Sequence, residues 1–99
     1  MTDDVISRIE ARAGEIFIKL GFEETYIKTY LSTEKNYRRG NSYYRFTFVR
    51  GLGFIIESAS SYDEACKNGH EDSDILSASL GEEGVLSELE STLIKYYLD

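Results

Sequence analysis

The sequence predicts an α+β domain on three observations. An apolar stripe at helical spacing runs through the N-terminal segment, three β-rich runs fill the middle, and a second helical stripe closes the C-terminal end. No proline, low-complexity tract, internal repeat or linker interrupts the 99 residues, so 1–99 are read as one domain. A chain of this size buries roughly two-thirds of the surface its unfolded form exposes. A hydrophobic share of 41%, with eight tyrosines and five phenylalanines, suffices for that core and argues against disorder.

The first element is a helix over Asp3–Leu20, with Val5, Ile6, Ile9, Ala13, Ile16, Phe17 and Leu20 on one stripe. Thr2 or Asp3 caps its start and Gly21 stops it. Gly14 inside the helix costs about 1 kcal/mol relative to alanine, and its missing side chain leaves room for another element to approach.

Strand-like runs follow at Thr25–Ser32, Ser42–Arg50 and Leu52–Ala59. In the first, Tyr26, Lys28 and Tyr30 alternate with Ile27, Thr29 and Leu31; in the second, Tyr44, Phe46 and Phe48 share a face. Arg50-Gly51-Leu52-Gly53 reads as a tight hairpin turn, because glycine accepts positive φ. Thr33–Asn41, with Lys35, Arg38, Arg39 and Gly40, reads as a basic loop.

Beyond the sheet, Ser61 followed by Glu64 has capping-box spacing and opens a helix of about two turns that Gly69 closes. Glu71-Asp72-Ser73-Asp74 reads as an acidic loop, with room for a short fourth strand at Ile75–Leu80. Ser79 and Glu82 repeat the capping-box spacing at the start of a final helix, which aligns Val85, Leu86, Leu89, Leu93, Tyr96 and Tyr97. The predicted architecture is an N-terminal helix, a three-stranded antiparallel meander, a short helix and a C-terminal helix, with the helices packed on one face of the sheet.

The net charge of −7 is unevenly placed. Residues 1–50 hold nine basic and seven acidic side chains, a net of +2, while 51–99 hold two basic and eleven acidic ones, a net of −9. Such a field repels nucleic acid and favours a basic partner; it also serves solubility. On charge alone the partner-binding candidates are Asp63, Glu64, Glu71, Asp72 and Asp74, with Tyr62 as an aromatic anchor.

Catalytic and metal chemistry find little to work with. Cys66 and His70 are four apart, but Gly69 breaks the helix between them and the remaining ligands of a zinc site are missing. A calcium loop fails because Ile75 stands where its central glycine belongs. Ser58, Ser60 and Ser61 lack a nucleophile-elbow setting, and Gly51-Leu52-Gly53 lacks the rest of a phosphate loop. Glu57 is in phase with the apolar Ile55 and Ala59; it suits either a functional carboxylate or an ion pair with Arg45 or Arg50. Basic residues interleaved with Tyr26, Tyr30, Tyr37, Tyr43 and Tyr44 would suit single-stranded nucleic acid, but the overall negative charge opposes it. No enzyme activity, metal or cofactor is expected.

Location follows from similar reasoning. No stretch approaches the roughly 18 apolar residues of a membrane span, the acidic start Thr2-Asp3-Asp4 is unlike a signal peptide, and Cys66 is a lone cysteine. A cytoplasmic protein is expected.

From Phe54 onward the chain carries Phe54-Ile55-Ile56-Glu57-Ser58-Ala59, Tyr62-Asp63-Glu64-Ala65, Glu71-Asp72-Ser73-Asp74, Ser79-Leu80-Gly81-Glu82-Glu83 and Ile94-Lys95-Tyr96-Tyr97. This order of strand, short helix, acidic segment and helix resembles the small immunity proteins of bacterial polymorphic toxin systems. The resemblance implies a non-enzymatic cytoplasmic protein that binds a cognate toxin domain, and an acidic one suits the basic cleft of a nuclease. The alternative is a small-ligand-binding regulator or small enzyme with Glu57 or a tyrosine in a pocket between sheet and helices. A third reading is an oligomer joined through exposed tyrosines.

Overall fold

The computed structural model describes residues 1–98, Asp72 by its backbone alone. The first helix, α1 (Asp3–Lys19), is capped by Thr2, whose hydroxyl accepts from the Val5 amide at 3.3 Å. It ends where Gly21 turns to φ 93° and the Phe22 amide reaches back to the Phe17 carbonyl at 2.9 Å.

Five strands follow: β1 (Glu23–Lys28), β2 (Thr33–Arg39), β3 (Ser42–Val49), β4 (Gly53–Ala59) and β5 (Glu71–Ser77). They form one sheet in chain order, each antiparallel to the next. The α+β class is as the sequence predicts, with five strands where it announces three and room for a short fourth.

The segment read as a basic loop is β2. Only Tyr37 of that strand enters the main core, while Glu34 and Asn36 turn to the opposite face, so no apolar alternation marks it. The acidic Glu71–Asp74 segment is likewise strand, as the first half of β5, and Ala78–Leu80 forms a single 3-10 turn rather than strand. β1 stops at Lys28, leaving Tyr30 and Leu31 exposed in the turn.

The hairpin between β3 and β4 is as expected, with Gly51 at φ 88° and Gly53 at φ 123°. A side chain at Gly53 would begin only 2.2 Å from the Leu76 carbonyl oxygen of the next strand.

After the 3-10 turn comes the last helix, α3 (Gly81–Tyr96). Ser79 does not cap it; Ser77 caps the preceding turn, accepting from the Ser79 amide at 3.2 Å, and α3 starts without a side-chain cap. Helices α1 and α3 lie together on one face, burying Ile9, Phe17, Val85, Leu89 and Leu93 against Tyr37, Phe54 and Ile56. The Phe17 ring stacks on Tyr37 at 4.1 Å and Phe46 on Phe54 at 4.9 Å. Tyr96 departs from the expected stripe: it is exposed, with the Lys95 ammonium 5.2 Å from its ring centre.

The short helix α2 (Tyr62–Cys66) packs on the other side of the sheet, not beside α1 and α3. Its Ala65 joins Ile27, Tyr43 and Ala59 in a second, smaller core, with Cys66 packed at its edge. Tyr43 and Tyr44 point to opposite faces by strand alternation, and each face finds its own cover.

Candidate functional site

The acidic half of the chain is largely neutralised where it meets α1. Arg8 pairs with Glu82 at 2.7 Å, Arg12 with Glu82 at 2.7 Å and with Glu83 at 2.6 Å, and Lys19 with Glu90 at 2.8 Å. Hydrogen bonds from Arg8 and then Arg12 lower the Glu82 pKa to about 2. Among the described residues, Asp63, Glu64 and Glu71 make no ion pair, and all three are exposed. Asp3, Asp4, Glu10, Glu15 and Glu88 are also exposed without an ion pair among the described residues, so α2 and the start of β5 carry one part of the remaining negative charge, the part set beside the exposed Tyr62.

Local chemistry builds this region. The Ser61 hydroxyl accepts from the Glu64 amide at 3.2 Å, and Asp63 and Glu64 sit in the first turn, where the helix end favours negative charge. The helix stops through Asn68, not Gly69: Asn68 takes φ 58°, its amide bonds the Ala65 carbonyl at 3.1 Å, and the Gly69 amide bonds the Glu64 carbonyl at 2.7 Å. Gly69 is needed for closeness instead, since a β-carbon there would lie 2.6 Å from Glu64 Oε2. Tyr62 is supported edge-on by Tyr43 at 5.8 Å yet remains 53% exposed, the disposition of an aromatic anchor.

Beneath the α2–β5 loop lies a polar network. The Arg45 guanidinium donates to Glu34, to Glu57 Oε2 at 2.9 Å and to Asn68 Oδ1 at 2.7 Å. Of the two ion-pair partners expected for Glu57, Arg45 is the one used. His70 Nε2 lies 2.6 Å from Asn36 Oδ1, while Asn36 Nδ2 and His70 Nδ1 are buried without a partner among the described residues. Burial, followed by the nearby charge of Arg45, lowers the His70 pKa, with Glu57 and Glu34 opposing. These contacts tie the loop to β2 and β3 and so set the positions of Glu64 and Glu71.

A groove of about 400 Å³ opens at this end of the sheet, lined by Ser42, Tyr44, Ser58, Ser60, Glu64, Gly69, Glu71 and Tyr97. It brings Glu64 and Glu71 onto one concavity. Asp74 is turned to the helix side, where its carboxylate accepts from the Tyr97 hydroxyl at 2.8 Å, and the Asp72 side chain lies outside the described residues. Of the six residues singled out on charge, Tyr62, Asp63, Glu64 and Glu71 thus cluster around α2 and the groove, and Asp74 does not.

Sequence reasoning missed Glu34, Asn36 and Asn68, because the strand and loop that carry them read as uniformly polar. The visible signal was Glu57, in phase with two apolar neighbours. Among the described residues no three of His, Cys, Asp and Glu gather as metal ligands, and no helix is long and apolar enough to cross a membrane.

The class that fold and site define is an α+β domain with a five-stranded antiparallel meander, helices on both faces and an acidic groove at one end. No family model, curated protein or solved structure matches the chain.

Proposed function

We propose that the chain is a non-enzymatic protein-binding module, an immunity protein that neutralises a cognate toxin domain through the acidic surface around α2 and the start of β5. One observation carries this reading. Arg8, Arg12 and Lys19 of α1 engage Glu82, Glu83 and Glu90, whereas Glu64 and Glu71 line one groove and Asp63 sits beside Glu64 and the half-exposed Tyr62 in the first turn of α2, all three carboxylates exposed and unpaired among the described residues. Carboxylates held on a capped helix next to an aromatic ring suit a basic protein surface: the charges speed encounter and the ring supplies much of the affinity. The pocket reading receives less support, because the space between the sheet and α1 and α3 is filled by core side chains and Glu57 is engaged by Arg45.

The test is a toxicity rescue. The toxin-domain candidates encoded beside the gene are expressed in a bacterial host with and without this chain. Survival only with the chain, together with a co-purifying complex that weakens as salt rises and on Asp63→Lys/Glu64→Lys, supports the proposal. Killing that the chain does not relieve, or a complex indifferent to both changes, overturns it.

A further inference from the structure

The two edges of the sheet are guarded very differently. An edge strand presents a row of unpaired amides and carbonyls, which proteins protect with like charges or a covering element. The β5 edge carries Glu71, Asp72 and Asp74 and no cation, so two copies of it repel. The β1 edge carries Glu23-Glu24-Thr25-Tyr26-Ile27-Lys28, with charges of both signs.

Strand alternation and the register with β2 put Glu24, Tyr26 and Lys28 on the face that holds α1 and α3. The helices do not cover them: all three are exposed, Tyr26 at 59%, and Glu24 borders a shelf beside Gly14 and Ile18 of α1. An antiparallel pair of identical strands can place its two-fold axis on any one residue. With the axis on Tyr26, Glu24 lies opposite Lys28 of the second copy, and Lys28 lies opposite its Glu24. The two Tyr26 rings then meet at the axis. An axis on Thr25 or on Ile27 puts Tyr26 opposite one of those charges and forms neither pair.

We propose that this chain forms a two-fold dimer through antiparallel pairing of its β1 edges about Tyr26, joining two five-stranded sheets into one. The occupant is a second copy because the edge is complementary to itself, with opposite charges two residues to either side of an exposed tyrosine. This inference goes beyond the toxin-binding reading and does not depend on it; the acidic groove involves strands β3 to β5 at the far side of the sheet.

Charge reversal in two halves tests it by sedimentation velocity at low ionic strength. The wild-type chain is expected to show a concentration-dependent monomer–dimer equilibrium. Lys28→Glu makes the edge wholly acidic and Glu24→Lys removes one acidic member while leaving Lys28, so each variant alone faces like charge across the axis and dimerises at least roughly tenfold more weakly. An equimolar mixture of the two variants restores opposite charges at both pairs and is expected to recover a heterodimer near wild-type affinity, a result a folding defect would not give. A wild-type chain that stays monomeric at every concentration overturns the proposal and leaves this edge to a strand of another protein. A dimer that survives Lys28→Glu, or a mixture that does not recover, overturns it as well.

Discussion

Arg45 of β3 donates to the side-chain oxygen of Asn68 at 2.7 Å while the same guanidinium holds Glu34 and Glu57. One sheet cation thus fixes the turn that ends α2, and with it the spacing of Glu64 and Glu71. The helix itself is only five residues long and could not hold its place by helix propensity.

Replacing Arg45 by methionine leaves two carboxylates on a largely covered part of the sheet without their counter-ion. Removing one partner of a buried pair is costly, and Arg45→Met is expected to destabilise the domain by about 3 kcal/mol in urea unfolding. Adding Glu57→Leu to the same chain is expected to recover part of the loss; a loss below about 1 kcal/mol for the single variant would place the network at the solvated end of the range.

Gly14 of α1 faces Tyr37, and a β-carbon at this position would lie 2.9 Å from the Tyr37 hydroxyl oxygen. Alanine raises helix propensity by about 1 kcal/mol, but here it meets a ring stacked on Phe17. Gly14→Ala alone is expected to be neutral or destabilising. In a Tyr37→Phe background, which removes the colliding oxygen, the same change is expected to stabilise by about 1 kcal/mol. A double-mutant cycle of unfolding free energies reads the difference, and additivity would contradict the contact.

The clamp between α1 and α3 depends on pH through Glu82, whose pKa is lowered to about 2 by Arg8 and Arg12. A depressed carboxylate contributes stability that is fully present above its unfolded pKa and is lost as pH falls through the folded one. The urea midpoint is therefore expected to drop as pH falls from the ordinary glutamate range toward about 2. Glu82→Gln, which stays uncharged, is expected to show a shallower drop over that interval, and parallel curves would contradict the linkage.

His70 is the only histidine, so its ring resonances titrate without overlap. Burial lowers its pKa, and the charge of Arg45 adds to that against Glu57 and Glu34. NMR titration is expected to give a midpoint below the usual imidazole value. Because the folded pKa is the lower one, the unfolded chain binds the proton more readily, and stability is expected to rise with pH through this window. Lys67→Ala, on the neighbouring exposed surface, is expected to leave the midpoint in place, and a midpoint at or above the usual value would contradict the buried setting.

The helices α1 and α3 and the β3–β4 hairpin were legible because their apolar residues recur at 3.6 or 2 positions and glycines stand at the turn. Strand β2 was not: its inward side chains are Tyr37 on one face and Glu34 and Asn36 on the other, so pairing partners rather than hydrophobic pattern make it a strand. The acidic start of β5 hid in the same way, since an edge strand keeps its outer side in water. On the site, the local composition pointed to Asp63, Glu64 and Glu71, but it treated Glu82, Glu83 and Glu90 as part of the same free charge, which α1 cancels.

The sequence by itself determined the class of fold, the two long helices, the central hairpin and the capped start of α2, because each rests on interactions within a few residues of chain. Tertiary structure alone decided that α2 covers the face opposite α1 and α3, that Arg45 binds the loop after it, and which carboxylates remain for a partner. Those outcomes depend on residues tens of positions apart meeting across a sheet, and charge pairing over such separations leaves no periodic trace in the chain.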